Sequence, residues 1–310
     1  MFSHVRLSVE HVLRRLVPTA YRPLVRGAAL TTRYVPMAAR GFRFARNLMV
    51  NGRSSTSIGE KTPLEAYFDV HTTGMGLWKW RHYFPIYEHF FSRFVAQPVR
   101  VMEIGVYSGG SLRMWRDYFG PQSTIIGVDI EPACRAYEAD GIQIVIGDQG
   151  DPRFWSGIIP QLAPLDIVID DGGHQPEQQI ATLEAVLPHI RPGGVYLCED
   201  IHGTDNGFTQ YLAGLLPHLH TMNPLRQEEA VALDAVPAQR ALAALTTPFQ
   251  RAIAGIHWYP YVVVIERSAP QPQAFVAPMH GTDWQDEGHF WSSAGATEDS
   301  TGNHLPQKHV

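Results

Sequence analysis

Five short apolar runs, each closed by glycine or acidic residues and separated by stretches of helical pattern, organise the middle of the chain. They fill residues 99–104, 123–130, 142–147, 165–170 and 194–199, and their unbroken aliphatic content predicts strands buried on both faces. Helices are expected near 109–119, 152–160, 176–189 and 207–216. Strands alternating with helices predict an α/β fold with a doubly wound, mostly parallel sheet. Pro192-Gly193-Gly194 is expected as a turn just before the fifth strand. Ile253–Tyr259 and Tyr261–Arg267, joined at Pro260, predict a C-terminal antiparallel strand pair that finishes the sheet. Upstream, residues 51–62 have the composition of a linker. Residues 63–97 are dense in aromatics, with a helix expected over Tyr83–Phe94 after a loop at Gly74-Met75-Gly76. Residues 269–310 lack periodicity and are expected to be irregular.

Composition adds a charge asymmetry. Residues 1–50 hold nine Arg, no Lys and one acid (Glu10), a formal +8; with −5 for the whole chain, the other 260 residues carry −13. An acidic body argues against nucleic acid as a partner. The Arg-rich start fits a transit peptide, an interfacial helix on a membrane surface, or a solvated arm packing on the acidic body or on a second subunit of a homo-oligomer. Pro18, Pro23 and Pro36 break any long helix there. Two cysteines, Cys134 and Cys198, give neither a disulfide framework nor zinc spacing. No apolar run reaches the ~18 residues of a membrane span. A cytoplasmic location is expected, peripheral at the membrane if the arm is interfacial.

The chemistry gathers at the strand ends. Asp170-Asp171-Gly172-Gly173-His174 closes the fourth run and Glu199-Asp200 the fifth. Acids that end buried parallel strands sit at the carboxyl edge of the sheet, where open α/β proteins bind ligands. Helix capping would need one short polar residue per helix, not two adjacent acids. Two acidic clusters and a histidine suggest a hard divalent cation beside a general base. The first strand ends in Glu103-Ile104-Gly105-Val106-Tyr107-Ser108-Gly109-Gly110-Ser111, a glycine loop whose spacing is not the dinucleotide fingerprint. Asp129 ends the second strand, where an acid can accept both hydrogen bonds of a ribose diol. Asp148, followed by Gln149, ends the third, where an adenine ring would lie.

This pattern resembles the class I S-adenosylmethionine-dependent methyltransferases. The resemblance implies that the loop of Glu103, Gly105, Gly109 and Ser111 faces the methionine part of the cofactor, with Asp129 at the ribose and Asp148 and Gln149 at the adenine. Ser111-Leu112-Arg113-Met114-Trp115-Arg116, the cluster at 170–174, Glu199-Asp200 and the upstream His82-Tyr83-Phe84-Pro85-Ile86-Tyr87-Glu88 look like the metal-dependent sugar O-methyltransferases, over about residues 60–267. That likeness implies Asp171, Glu199 and Asp200 as Mg²⁺ ligands, His174 as general base, and a glycosylated small molecule as substrate. Asp170 is expected in a supporting role, at a helix end or a water. His202 and Asp205 are nearby alternatives, and His71 and His82 weaker ones. Trp78-Lys79-Trp80-Arg81-His82-Tyr83 is expected to cover the pocket.

Two departures stand out: the Arg-rich first 50 residues do not look like the family's auxiliary domain, and Gly173 stands where serine is expected. The organisation implied is an Arg-rich extension and linker over 1–60, a methyltransferase domain with an aromatic cap segment over 61–268, and an irregular tail over 269–310. A phenol, catechol or polyketide hydroxyl is the alternative acceptor. A non-catalytic Rossmann-like binding module is the alternative from another class.

Overall fold

The computed structural model describes residues 38–46, 60–203, 205–220 and 247–269. The chain divides into two units, Met1–Glu60 and Lys61–Val310. In the first, residues 38–46 form a helix with exposed side chains. The rest of the Arg-rich start, with the membrane or subunit contact expected of it, lies outside the described residues, as does nearly all of the tail. Among the described residues no helix is long and apolar enough to cross a membrane.

The second unit is built on seven strands: β1 (Arg100–Ile104), β2 (Thr124–Asp129), β3 (Ile142–Ile146), β4 (Leu165–Asp170), β5 (Ile190–Cys198), β6 (Ile253–Tyr259) and β7 (Val262–Arg267). Their order across the sheet is β3-β2-β1-β4-β5-β7-β6. The first five are parallel, and β7 pairs antiparallel with β5 and with β6. The helices are α1 (Pro63–Val70), α2 (Phe84–Phe91), α3 (Gly110–Phe119), α4 (Pro152–Leu162), α5 (Pro176–Val186), α6 (Gly207–Leu215) and α7 (Pro248–Ala252).

Successive strand residues point to opposite faces, so the aliphatic runs feed two cores. Val101, Ile125, Ile167 and Val195 pack on one side with Leu64 of α1, Tyr87 of α2 and Trp115 of α3. Met102, Ile126, Val168 and Tyr196 pack on the other with Trp155 of α4, Leu183 of α5 and Phe208 of α6. Helix starts follow local chemistry. Thr62, Asp151 and Asn206 accept from backbone N–H groups in the first turns of α1, α4 and α6, and proline opens α1, α4 and α5 where its missing N–H is not needed.

The structure differs from expectation in two places that shape the site. Pro192-Gly193-Gly194 is not a turn before β5 but an irregularity inside it: pairing jumps from Leu165–Ile190 to Ile167–Val195. Gly193, at φ +81°, donates to the Ser268 carbonyl at 2.8 Å. A bulge tolerates a proline that cannot donate to the ladder. The single helix expected over Tyr83–Phe94 is instead α2 between two 3₁₀ turns, Arg81–Tyr83 and Ser92–Phe94. α1 was not expected at all.

Candidate active site

A cleft of about 860 Å³ opens at the carboxyl ends of β1, β2, β3, β4 and β5. The glycine loop after β1 forms its floor. Gly105 has φ +92°, and a Cβ there would collide with the backbone carbonyl of Asp171. The glycine therefore serves close approach between two loops of the protein, not only approach to a ligand. Gly109, at φ +75°, starts α3 in the left-handed region; a Cβ would stand 2.6 Å from the ring of Tyr137.

The expected cofactor residues divide. Gly105, Ser111, Asp129, Asp148 and Gln149 line the cleft, whereas Glu103 and Gly109 do not. Asp129 Oδ2 accepts from the N–H groups of Val106 (2.8 Å) and Tyr107 (3.1 Å), and Oδ1 from Glu131 (2.9 Å). Three of a carboxylate's roughly four acceptor positions are thus used within the protein. Asp148 Oδ1 accepts from the Gly150 N–H at 2.7 Å.

Gln149 is a brace. Its amide donates to Asp170 Oδ1 (3.0 Å) and Thr182 Oγ1 (3.1 Å), and its carbonyl accepts from the Gly173 N–H (2.7 Å). Asp170 also accepts from the Tyr196 hydroxyl at 3.1 Å. Burial pushes the Asp170 carboxyl up to about 6, against the lowering effect of those donors. A chain Tyr196–Asp170–Gln149–Gly173 therefore fixes the loop that carries Asp171 and His174. A Cβ at Gly173 would meet the amide end of the Gln178 side chain.

The acids at the mouth and those below it behave differently. One ligand atom each from Asp171, His174 and Asp200 lies within 4.8 Å of the others. His174 and Asp200 both have positive φ, +55° and +54°. Such strain in non-glycine residues persists where surrounding structure enforces it, often at functional sites. His174 Nε2 stands 3.9 Å from Asp200 Oδ2, while its Nδ1 is enclosed without a partner. The Tyr83 hydroxyl donates to Asp200 Oδ1 at 2.5 Å, and burial raises the tyrosine's pKa.

Glu199 is turned away from this trio. Its Oε2 accepts from Lys79 Nζ (3.1 Å) and its Oε1 from the Tyr87 hydroxyl (2.6 Å). Burial pushes its carboxyl up to about 8 in spite of Lys79. Lys79, with 2% of its side chain exposed, also contacts Asp171 Oδ2 at 2.6 Å and Glu103 Oε1 at 3.3 Å. Burial works against the ammonium, but Asp171, Glu199 and Glu103 together hold its pKa well above the ordinary lysine value. Glu103 accepts further from Ser111 Oγ (2.6 Å) and Trp115 Nε1 (3.0 Å). Lys79 and Tyr83, expected only in a covering segment, and Tyr87, expected only in the helix after it, also contact the acids of the site.

With this geometry described, likeness to known proteins becomes informative. Residues 102–201 match the methyltransferase-domain family. The chain is 35% identical over 209 residues to 8-demethyl-8-(2-methoxy-alpha-L-rhamnosyl)-tetracenomycin-C 3'-O-methyltransferase of Streptomyces olivaceus, covering 62% of this chain and 50% of that protein. It is 34% identical over 211 residues to demethylmacrocin O-methyltransferase of Streptomyces fradiae, covering 64% and 53%. The chain thus spans about half the length of the curated relatives it matches. Among solved structures it resembles the MycE methyltransferase of the mycinamycin pathway in complex with Mg and SAH, at TM-score 0.51 and 29% identity over 66% of this chain and 54% of that one. Residues 102–201 thus match a methyltransferase domain, and the chain is similar over about two thirds of its length to O-methyltransferases of tetracenomycin and macrocin sugars.

Proposed function

We propose that the protein is an S-adenosylmethionine-dependent, Mg²⁺-assisted O-methyltransferase acting on a hydroxyl of a sugar carried by a natural product or glycolipid. The observation that carries this is the convergence of Asp171, His174 and Asp200 within 4.8 Å at the cleft that Gly105, Asp129 and Asp148 also line. Support comes from the relatives, named for methylation of rhamnosyl and macrolide substrates, and from the Mg and SAH held by MycE.

The donor set fits the ion. Two carboxylates at the mouth suit a hard divalent cation that keeps some positions for water or substrate oxygens. Asp171 and Asp200 would hold it, with Glu199 as the third ligand we propose. When bound, Mg²⁺ lowers the pKa of a coordinated hydroxyl and the sulfonium cofactor supplies the methyl group. His174 takes the hydroxyl proton at Nε2, since its Nδ1 is enclosed. Tyr83 holds Asp200 in place through its 2.5 Å hydrogen bond. Asp129 accepts one ribose hydroxyl, and Asp148 and Gln149 flank the adenine.

Isothermal titration of the full chain with S-adenosylmethionine and then Mg²⁺ tests this reading. Cofactor binding, with Mg²⁺ binding lost in Asp200→Ala, supports it; no cofactor binding by folded protein overturns it. We place the reaction in the cytoplasm. Peripheral contact through residues 1–50 is tested by co-sedimentation with anionic liposomes: equal behaviour of the full chain and a chain lacking those residues removes it.

A further inference from the structure

The two-residue turn between β6 and β7, Pro260-Tyr261, has proline first and a positive φ of +64° second, the type II pattern. That second position favours glycine or asparagine, yet it holds a tyrosine that is 43% exposed. The turn is tied to the site: the Ile201 N–H, just after Glu199-Asp200, donates to the Tyr261 carbonyl at 3.0 Å. His82 Nε2 lies 3.1 Å from the Pro260 carbonyl. The turn is therefore fastened both to the acid-bearing loop and to the segment that carries Lys79.

Around Tyr261 three rings gather, tilted 47–67° to it. Its centroid lies 4.7 Å from that of His202 and 5.9 Å from those of Trp80 and His82. Trp80 is 50% exposed, and both Trp80 and His202 line the cleft. His202 Nε2 stands 3.9 Å from Asp200 Oδ1, so the aromatic cluster runs directly into the converging acids. Half-exposed aromatic faces joined to carboxylates and an imidazole match a ligand with an apolar C–H face and a hydroxyl-bearing edge. That ligand is a pyranose ring.

We propose that Tyr261, Trp80 and His202 form the acceptor subsite: the sugar stacks its apolar face on Tyr261 and Trp80 and turns its hydroxyl edge toward His202 and Asp200. This rests on the methyltransferase reading but adds residues from the C-terminal hairpin. The turn then sets the Tyr261 ring beside His202, at the edge of the cleft.

The test uses the full chain with Mg²⁺ and S-adenosylhomocysteine, and methyl α-L-rhamnopyranoside as probe. Sugar binding is followed by saturation-transfer NMR and cofactor binding by titration calorimetry. Tyr261→Asn removes the ring with a residue that tolerates positive φ, Trp80→Ala removes the second face, and Tyr261→Phe keeps the ring. The dissociation constant for the sugar is expected to rise about tenfold in the first two and to hold in the third, with S-adenosylhomocysteine affinity unchanged. Cofactor binding without sugar binding, or sugar binding indifferent to both ring losses, overturns the subsite. Ring-dependent sugar binding without cofactor binding keeps the subsite and overturns the methyltransferase reading.

Discussion

Lys79 Nζ lies 2.6 Å from Asp171 Oδ2, a buried ion pair that joins the aromatic cap segment to the end of β4. The lysine also neutralises part of the charge of Glu103 and Glu199, two carboxylates with almost no exposure. Removing one partner of a buried pair leaves the others uncompensated. Lys79→Met is therefore expected to destabilise the fold by about 3–5 kcal/mol, and Lys79→Arg by less. Urea denaturation of the metal-free protein measures both; equal stability of Lys79→Met and wild type would show that the acids adjust without it.

In the proposed reaction His174 accepts the proton of the substrate hydroxyl. His174→Ala is expected to lower turnover by ~10²–10⁴-fold while cofactor affinity is kept. Excess chelator is expected to abolish turnover and added Mg²⁺ to restore it. Full turnover in chelator would remove the metal from the reaction.

Gly105 is where backbone permissiveness decides the fold of the site. Gly105→Ala places a Cβ against the Asp171 carbonyl at a φ of +92°. A loss of more than about 2 kcal/mol is expected from strain and collision together, read from the shift of the denaturation midpoint. Alanine at 109 meets a side-chain ring rather than backbone and is expected to cost less.

Asp170 gives stability a pH dependence. Its folded pKa of about 6 lies above the ordinary aspartate value of 3.8. The folded state then binds the proton more tightly than the unfolded chain. This contribution is fully present below about pH 4 and is lost as pH rises through about 6. In chelator, Asp170→Asn is expected to flatten the fall in stability across that window, measured by thermal unfolding at several pH values. An unchanged slope would place the titration elsewhere.

The fold and the residues at the mouth were readable along the chain because each buried run ends in its own acid: Asp129, Asp170-Asp171 and Glu199-Asp200 all sit where the strand ends placed them. What was not readable is how those acids divide their work. Glu199 has partners, Tyr87 and Lys79, that lie 112 and 120 positions away. Nothing local to Gln149 shows that its amide also braces Asp170 and Gly173. One signal was available: Lys79 is one of three lysines in 310 residues and stands between Trp78 and Trp80. A cation in so apolar a setting needs buried counter-charges. The bulge in β5 was missed because Pro-Gly-Gly carries the same composition in a turn and in a broken ladder.

The sheet order has a consequence for synthesis. β5 holds its place between β4 and β7, and β7 is made about 65 residues after it. A chain leaving the ribosome N-terminus first has its glycine loop, its brace and its acids assembled while β5 is still a bare edge, a template for pairing with the wrong strand. Only when the final hairpin arrives does the edge close and Tyr261 fasten Ile201. The sheet beneath the cleft is not closed before nearly the last described residue has been added, and a chain shortened by that hairpin is expected to aggregate.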